Sequence, residues 1–281
     1  MRNGGIDVSS AWLNGCVALV LSIGATDVRS TDVRRAFNGR STDVRQAFYG
    51  RSDVRSDETK AEYDGRFSFV RLRHESANNL AGGRFRQREA PWHHDFPRAD
   101  FHFLKILGEL TLLSTFVDQG NILTLDDPDL SLFPVAYMSE PGFWVPSDAD
   151  IEGLRAYLKK GGFIIFDDFR GNHIQNLEFQ MRRVYPDAPF QKLDATHPIF
   201  HSFFEINALD PRSGYYADMG DTEWLGIFED NDPQKRLIAI ANNNHDLGEL
   251  WEFSDTGYVP VDLSNEAYKF GVNYVVYAMT N

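Results

Sequence analysis

Hydrophobic positions along residues 61–281 follow two periods, and their alternation predicts a sheet covered by helices. Short runs dense in aromatic and branched residues predict strands at Phe67–Leu72, Phe133–Met138, Phe163–Phe166 and Leu237–Ala241. Between these runs the apolar residues recur at three and four. Phe103, Ile106, Leu107 and Leu110 make one face of a helix opening near Asp100, and Ile151, Leu154, Tyr157 and Leu158 make another. Residues 173–184 predict a third helix, and a last one from Asn265 buries Tyr268, Val272, Val275 and Val276. Ser147 and Asp150 have the spacing of a capping box, and Gly161-Gly162 supplies the positive φ that ends the helix between them. Strand–helix alternation with short connections implies an α/β fold of three layers, a mostly parallel sheet with helices on both faces. Ligands in such folds collect beyond the C-terminal ends of the strands, so the polar residues just after each strand are the ones to weigh.

The first sixty residues have a different pattern. Ala11–Ala25 (AWLNGCVALVLSIGA) is the most apolar stretch, short for a membrane span but suited to a signal-peptide core. Residues 1–25 therefore read as a signal peptide or a mis-assigned start. Export to the periplasm or cell envelope is favoured over the cytoplasm, and any membrane association would run through residues 11–25. Residues 26–60 hold an eleven-residue repeat, STDVRRAFNGR at Ser30–Arg40 and STDVRQAFYGR at Ser41–Arg51. Each copy has a helical trio (Val33, Ala36, Phe37; Val44, Ala47, Phe48) but too little apolar content for a core. The segment reads as a disordered linker leading into one domain over 61–281.

Composition narrows the partners. The 281-residue chain carries a formal net charge of −13, and 22 Phe and 11 Tyr give it ample core-forming material. Residues 26–60 carry about +2 and 1–25 balance, which leaves about −15 on 61–281. A domain so acidic repels phosphate backbones, so nucleic acid is excluded as the expected partner. An unidentified protein or a small molecule remains. The single cysteine, Cys16, precedes the domain, which excludes an internal disulfide and leaves 61–281 without a thiol nucleophile.

Three places offer chemistry. Asp167 and Asp168 end the Phe163 strand with Arg170 beside them. Strict alternation would turn only one of the two acids toward a cleft, unless the chain bends there. Asp168 would then bind a cation or a ligand hydroxyl while Arg170 grips a carboxylate; otherwise Asp168 caps the next helix and Arg170 pairs with an acid. Trp92-His93-His94-Asp95 is the densest imidazole cluster, although vicinal histidines rarely reach one metal together. Asn242-Asn-Asn-His-Asp246 follows the Leu237 strand and either lines the same cleft, through His245, or makes a turn. Asp126, Asp127 and Asp129 suit turn initiation, and His197 and His201 suit a structural turn.

Seven stretches in order resemble the bacterial family of unknown function DUF4159. They are FSFVRLR at Phe67–Arg73, Asp95-Phe-Pro97, Asp126–Tyr137, GGFIIFDDFRG at Gly161–Gly171, HPIFHSFF at His197–Phe204, GELWE at Gly248–Glu252 and EAYKFGVNYVVYA at Glu266–Ala278. The resemblance covers about residues 64–281. It implies a flavodoxin-like sheet akin to class I glutamine amidotransferases and supplies no reaction, cofactor or metal. In an amidotransferase the strand after the Gly-Gly turn leads to an elbow bearing the nucleophilic Cys, and that position falls on Asp168 here. A carboxylate cannot form the thioester of glutamine hydrolysis, so that activity is rejected.

Two readings follow. One is a non-catalytic binding or assembly domain on an amidotransferase-like fold. The alternative is a metal-assisted hydrolase at the strand ends, built from Asp168, His93 or His94, and His245. Whether the protein is an enzyme stays open between them.

Overall fold

A computed structural model describes residues 60–76, 90–117, 120–210, 212 and 214–281. The expected signal segment and all but the last residue of the repeat segment lie outside the described residues.

Seven strands form one sheet in the order β2-β1-β3-β4-β7-β6-β5. These are β1 (Val70–Leu72), β2 (Ile122–Leu123), β3 (Val135–Ser139), β4 (Phe163–Phe169), β5 (Gln191–Lys192), β6 (Glu223–Phe228) and β7 (Leu237–Asn243). The first five in that order run parallel, and β6 and β5 add an antiparallel edge. Numbered among themselves, the parallel strands follow 2-1-3-4-5, the doubly wound order of flavodoxin-like sheets. Helices α1 (Arg98–Leu110), α4 (Leu247–Glu252) and α5 (Val261–Thr280) cover one face; α2 (Asp148–Lys159) and α3 (His173–Val184) cover the other.

Alternation along the central strands divides the core between the faces. Val135, Tyr137, Phe163 and Ile165 pack toward α1, α4 and α5, while Ala136, Met138, Ile164 and Phe166 pack toward α2 and α3. The capping box forms as expected: Ser147 Oγ accepts from Asp150 N, and Asp150 accepts from Ser147 N. Gly161 takes φ +104° at the other end of α2.

The structure adjusts several expected boundaries. β1 is three residues long, because Phe67 makes only an isolated bridge to Thr115. Asp100 lies within the first turn of α1, where its carboxylate pairs with Arg71. The last helix begins at Val261, behind Pro260 at its N-cap, four residues before Asn265. The acids around 126–129 build a turn, with Asp127 capping the 3-10 helix Pro128–Leu132 and binding Lys60. His197 likewise accepts from Ile199 N to cap a 3-10 turn, and His201 binds Glu205 and the Ala195 carbonyl. Among the described residues, no helix is long and apolar enough to cross a membrane.

Candidate functional site

The site lies where the β1–α1 connection meets the C-terminal ends of β3, β4 and β7. In a 2-1-3-4-5 sheet this is the crevice at which the crossovers change side. Four segments converge on it, and each is held by local chemistry.

The β1–α1 connection is fastened to the sheet by a buried arginine. Arg71, on β1, is fully buried; it pairs with Asp100 through Nε (3.1 Å) and Nη2 (2.5 Å), and its Nη1 donates to the carbonyls of His94 (2.9 Å) and Trp92 (3.3 Å). A planar guanidinium with five fixed donors suits this task. The next residue, Asp95, takes φ +64°, a left-handed conformation that turns the chain into α1.

A bulge supplies the second segment. Phe166 pairs with Ala241 and Phe169 with Asn243, so β4 holds one residue more than β7 across that step. Phe169 joins Phe166 on the α2–α3 face, and Asp168 is the extra residue, at φ +59°. The bend anticipated as the exception in the sequence is therefore present, and both acids face inward.

The two acids do different things. Asp167 is buried and saturated: it accepts from Tyr137 Oη (2.8 Å), Asn242 Nδ2 (2.9 Å), and the backbone N–H groups of Leu247 (2.7 Å) and Gly248 (3.1 Å). It fixes the start of α4 to the sheet. Burial raises its pKa to about 6, although the hydrogen bonds from Asn242 and Tyr137 favour its charged form. Asp168 instead gathers polar side chains at the cleft. Its Oδ2 lies 2.8 Å from His94 Nδ1 and 3.1 Å from Ser139 Oγ, and its Oδ1 accepts from Tyr216 Oη at 2.9 Å. Tyr216 Oη also lies 3.1 Å from Asp246 Oδ2, so one hydroxyl serves both carboxylates. Burial and those two acids push the Tyr216 pKa up, keeping it a hydrogen-bond donor.

Asp246, at the N-cap of α4, accepts from Glu249 N through Oδ1 (2.7 Å). Burial, and then Asp168 and Asp95, push its pKa well above the carboxylate range. Asp95 is the least satisfied group in the cluster. Its side chain is 0% exposed, yet neither oxygen has a hydrogen-bond partner; His94 Nδ1 is 3.5 Å from Oδ1. Burial and the neighbouring Asp168 raise its pKa well above normal. The hydrogen bond to Asp168 also raises the pKa of His94, to about 10 against the cost of burial, and there it favours the charged form. The His94 side chain, 40% exposed, opens the cluster to solvent.

His94, Asp95, Asp168 and Asp246 each offer a ligand atom, all within 4.8 Å of one another. Metal–ligand bonds of roughly 2.0–2.5 Å put donors about 3–5 Å apart around one ion, so this spacing fits a single cation. Three carboxylates and one imidazole suit Mn²⁺ and related divalent ions.

The sequence candidates are thus sorted. His94, Asp95 and Asp168 meet. Asp167 anchors the scaffold behind them. Arg170 stands exposed at the mouth with its guanidinium 4.4 Å from the Tyr216 ring centroid. His93 does not join; its ring packs edge-on to Trp92 and Phe96. His245 is also outside the cluster. It is buried against Trp224 and Phe270, accepts from Asp246 N through Nδ1 (2.8 Å), and has its pKa lowered to about 4 by burial. Its neighbour Asp246 takes the place in the site. The sequence signal for Asp246 was present as Asp-x-x-Glu at the mouth of a short apolar run, an N-cap pattern directly after a strand. Tyr216 and Ser139 carried no such signal.

The family model described as "Domain of unknown function (DUF4159)" matches residues 68–279. The search of curated proteins finds none that matches.

Proposed function

The chain belongs to the DUF4159 family, and from the chemistry of its site we propose that the domain binds a divalent cation at His94, Asp95, Asp168 and Asp246 and acts as a metal-assisted hydrolase. The supporting observation is Asp95. A buried carboxylate on which neither oxygen accepts a hydrogen bond is costly unless a cation meets it, and a cation meets the repulsion of three clustered acids as well. Three carboxylates and a neutral imidazole around a dication leave a net charge of −1.

His94, Asp95, Asp168 and Asp246 would hold the cation, which would polarise a carbonyl or phosphoryl oxygen and lower the pKa of a water bound to it. Arg170, at the mouth, offers a bidentate grip for an anionic substrate group.

The parallel strand order, together with a left-handed residue at the end of β4, supports likening the domain to class I glutamine amidotransferases. With Asp168 where the nucleophilic cysteine would stand, that kinship extends to architecture and not to glutamine hydrolysis. The missing thiol equally favours a second reading, a binding or assembly module whose cation organises a surface for a small molecule or protein.

The test is the melting temperature of the full chain in EDTA and then with Mn²⁺, Zn²⁺, Mg²⁺ or Ca²⁺. Binding to the folded state alone stabilises by about 2.7 kcal/mol at a hundred times the dissociation constant. A rise that Asp168→Asn abolishes is expected, and the absence of any rise would overturn the cation site. With the cation bound, hydrolysis of ester, amide or phosphoester probes separates the hydrolase from the binding module.

A further inference from the structure

Asp95 belongs to two groups of potential ligands. Besides the cluster with His94, Asp168 and Asp246, it lies with Glu249 and Glu252 in a second set whose ligand atoms are also within 4.8 Å of one another. The two sets share no other residue. They are brought together by one short helix: Asp246, Glu249 and Glu252 recur every third residue from the N-cap of α4, so they follow one side of it.

The two oxygens of Asp95 have different neighbours. Oδ1 is the one 3.5 Å from His94 Nδ1. Oδ2 lies against α4, where a Cβ built on Gly248 would come within 2.4 Å of it, and Gly248 directly precedes Glu249. Neither oxygen accepts a hydrogen bond, although the side chain is fully buried. Nearly every buried carboxylate oxygen finds a donor, so a carboxylate on which neither oxygen accepts a hydrogen bond marks room for a further partner. The absence of a side chain at position 248 is what lets the carboxylate sit there.

Resting on the cation reading above, we infer that Asp95 bridges two divalent cations, one in the His94–Asp168–Asp246 set through Oδ1 and one against Glu249 and Glu252 through Oδ2.

The flanking hydroxyls divide in the same way. Tyr216 Oη serves Asp168 and Asp246, while Tyr215 Oη donates to Glu249 Oε1 at 2.8 Å. Consecutive tyrosines therefore hold one carboxylate set each, orienting acids that would otherwise repel one another. A bridging carboxylate places two ions roughly 3.5–4 Å apart, a spacing at which both contact one substrate oxygen or one bridging hydroxide. That geometry suits hydrolysis of a phosphoester or a carboxylate-bearing substrate, whose anionic group spans the pair.

The experiment is Mn²⁺ stoichiometry on the full chain, by isothermal titration calorimetry together with electron paramagnetic resonance. Two ions per chain with a spin-coupled signal are expected. Glu249→Gln with Glu252→Gln should reduce this to one uncoupled ion, leaving the melting temperature in EDTA close to wild type. One uncoupled ion in the wild type overturns the bridge and leaves the single-cation reading standing. No bound ion overturns both. Two ions retained in the double variant, or two that show no coupling, also overturn the bridge.

Discussion

Nδ1 of His94 and Oδ2 of Asp168 lie 2.8 Å apart, and the pair that ties the β1–α1 connection to β4 is also half of the proposed coordination sphere. A cation must replace the proton between them. The hydrogen bond to Asp168 pushes the His94 pKa up to about 10, which favours the protonated imidazole at neutral pH. Cation affinity should therefore rise at least about tenfold per pH unit from 6 to 9, since each ion bound releases at least one proton. Competition titrations with a chelating dye across that range check this, and a flat profile counts against His94 as a ligand.

Asp95→Asn should stabilise the protein in EDTA while removing its response to cations. The unfolded aspartate titrates near 4, and folding raises that pKa, so above pH 4 ionising Asp95 works against the fold. Replacing it with a neutral amide relieves the cost of ionising a buried carboxyl at pH 7–8. Thermal melts with and without Mn²⁺ read both halves. An asparagine variant less stable than wild type in EDTA would show that Asp95 has a partner in the metal-free fold.

Gly248→Ala tests the seat of Asp95 from the other side. The new Cβ would come within 2.4 Å of Asp95 Oδ2 and 2.8 Å of Tyr137 Oη, so the carboxylate must shift. Overpacking of this kind costs about 1–3 kcal/mol. Cation affinity should fall at least about tenfold, because a ligand displaced by a fraction of an ångström no longer shares the sphere. Calorimetry on the folded variant gives the number.

Asp167→Ala and Asp168→Ala should fail differently. The first strands four buried donors, from Tyr137, Asn242, Leu247 and Gly248, and should cost about 3 kcal/mol or more in chemical denaturation. The second frees the partly exposed His94 and Tyr216 and a single buried hydroxyl, that of Ser139, and should mainly abolish cation binding. Equal destabilisation by the two would contradict the roles given to them.

Acid should loosen the domain through its buried histidines. Burial lowers the pKa of His74, His102 and His245, the last to about 4. Their neutral forms belong to the fold, so their contribution is complete above the unfolded pKa near 6.5 and is lost as pH falls toward 4. Protonation of Asp95 and Asp246 works in the other direction over the same range, so the readout is a difference: between pH 6.5 and 4, His245→Asn should lose less stability than the wild type.

The layers of this fold could be read from periodicity because long helices and buried strands carry many residues per pattern. α2 shows this well, with its capping box and terminal glycine both in place. β5 and α4 escaped notice because two and six residues are too few to establish a period. Half of the site was legible for a related reason: His94, Asp95 and Asp168 follow strands, where ligands gather. The inward turn of both Asp167 and Asp168 depends on the bulge between β4 and β7. A register shift is a property of two strands together, and neither strand states it alone. Tyr216 reaches the cluster by a similar long-range contact.

Arg71 gives the arrangement its economy. By holding the carbonyls of Trp92 and His94 while locked to Asp100, it ties the ligand-bearing segment to the sheet. The entropy of shaping the site is thus lost during folding and not on each encounter with a ligand. Association should proceed without a conformational wait, at rates set by diffusion and by the attraction of an acidic cleft for cations.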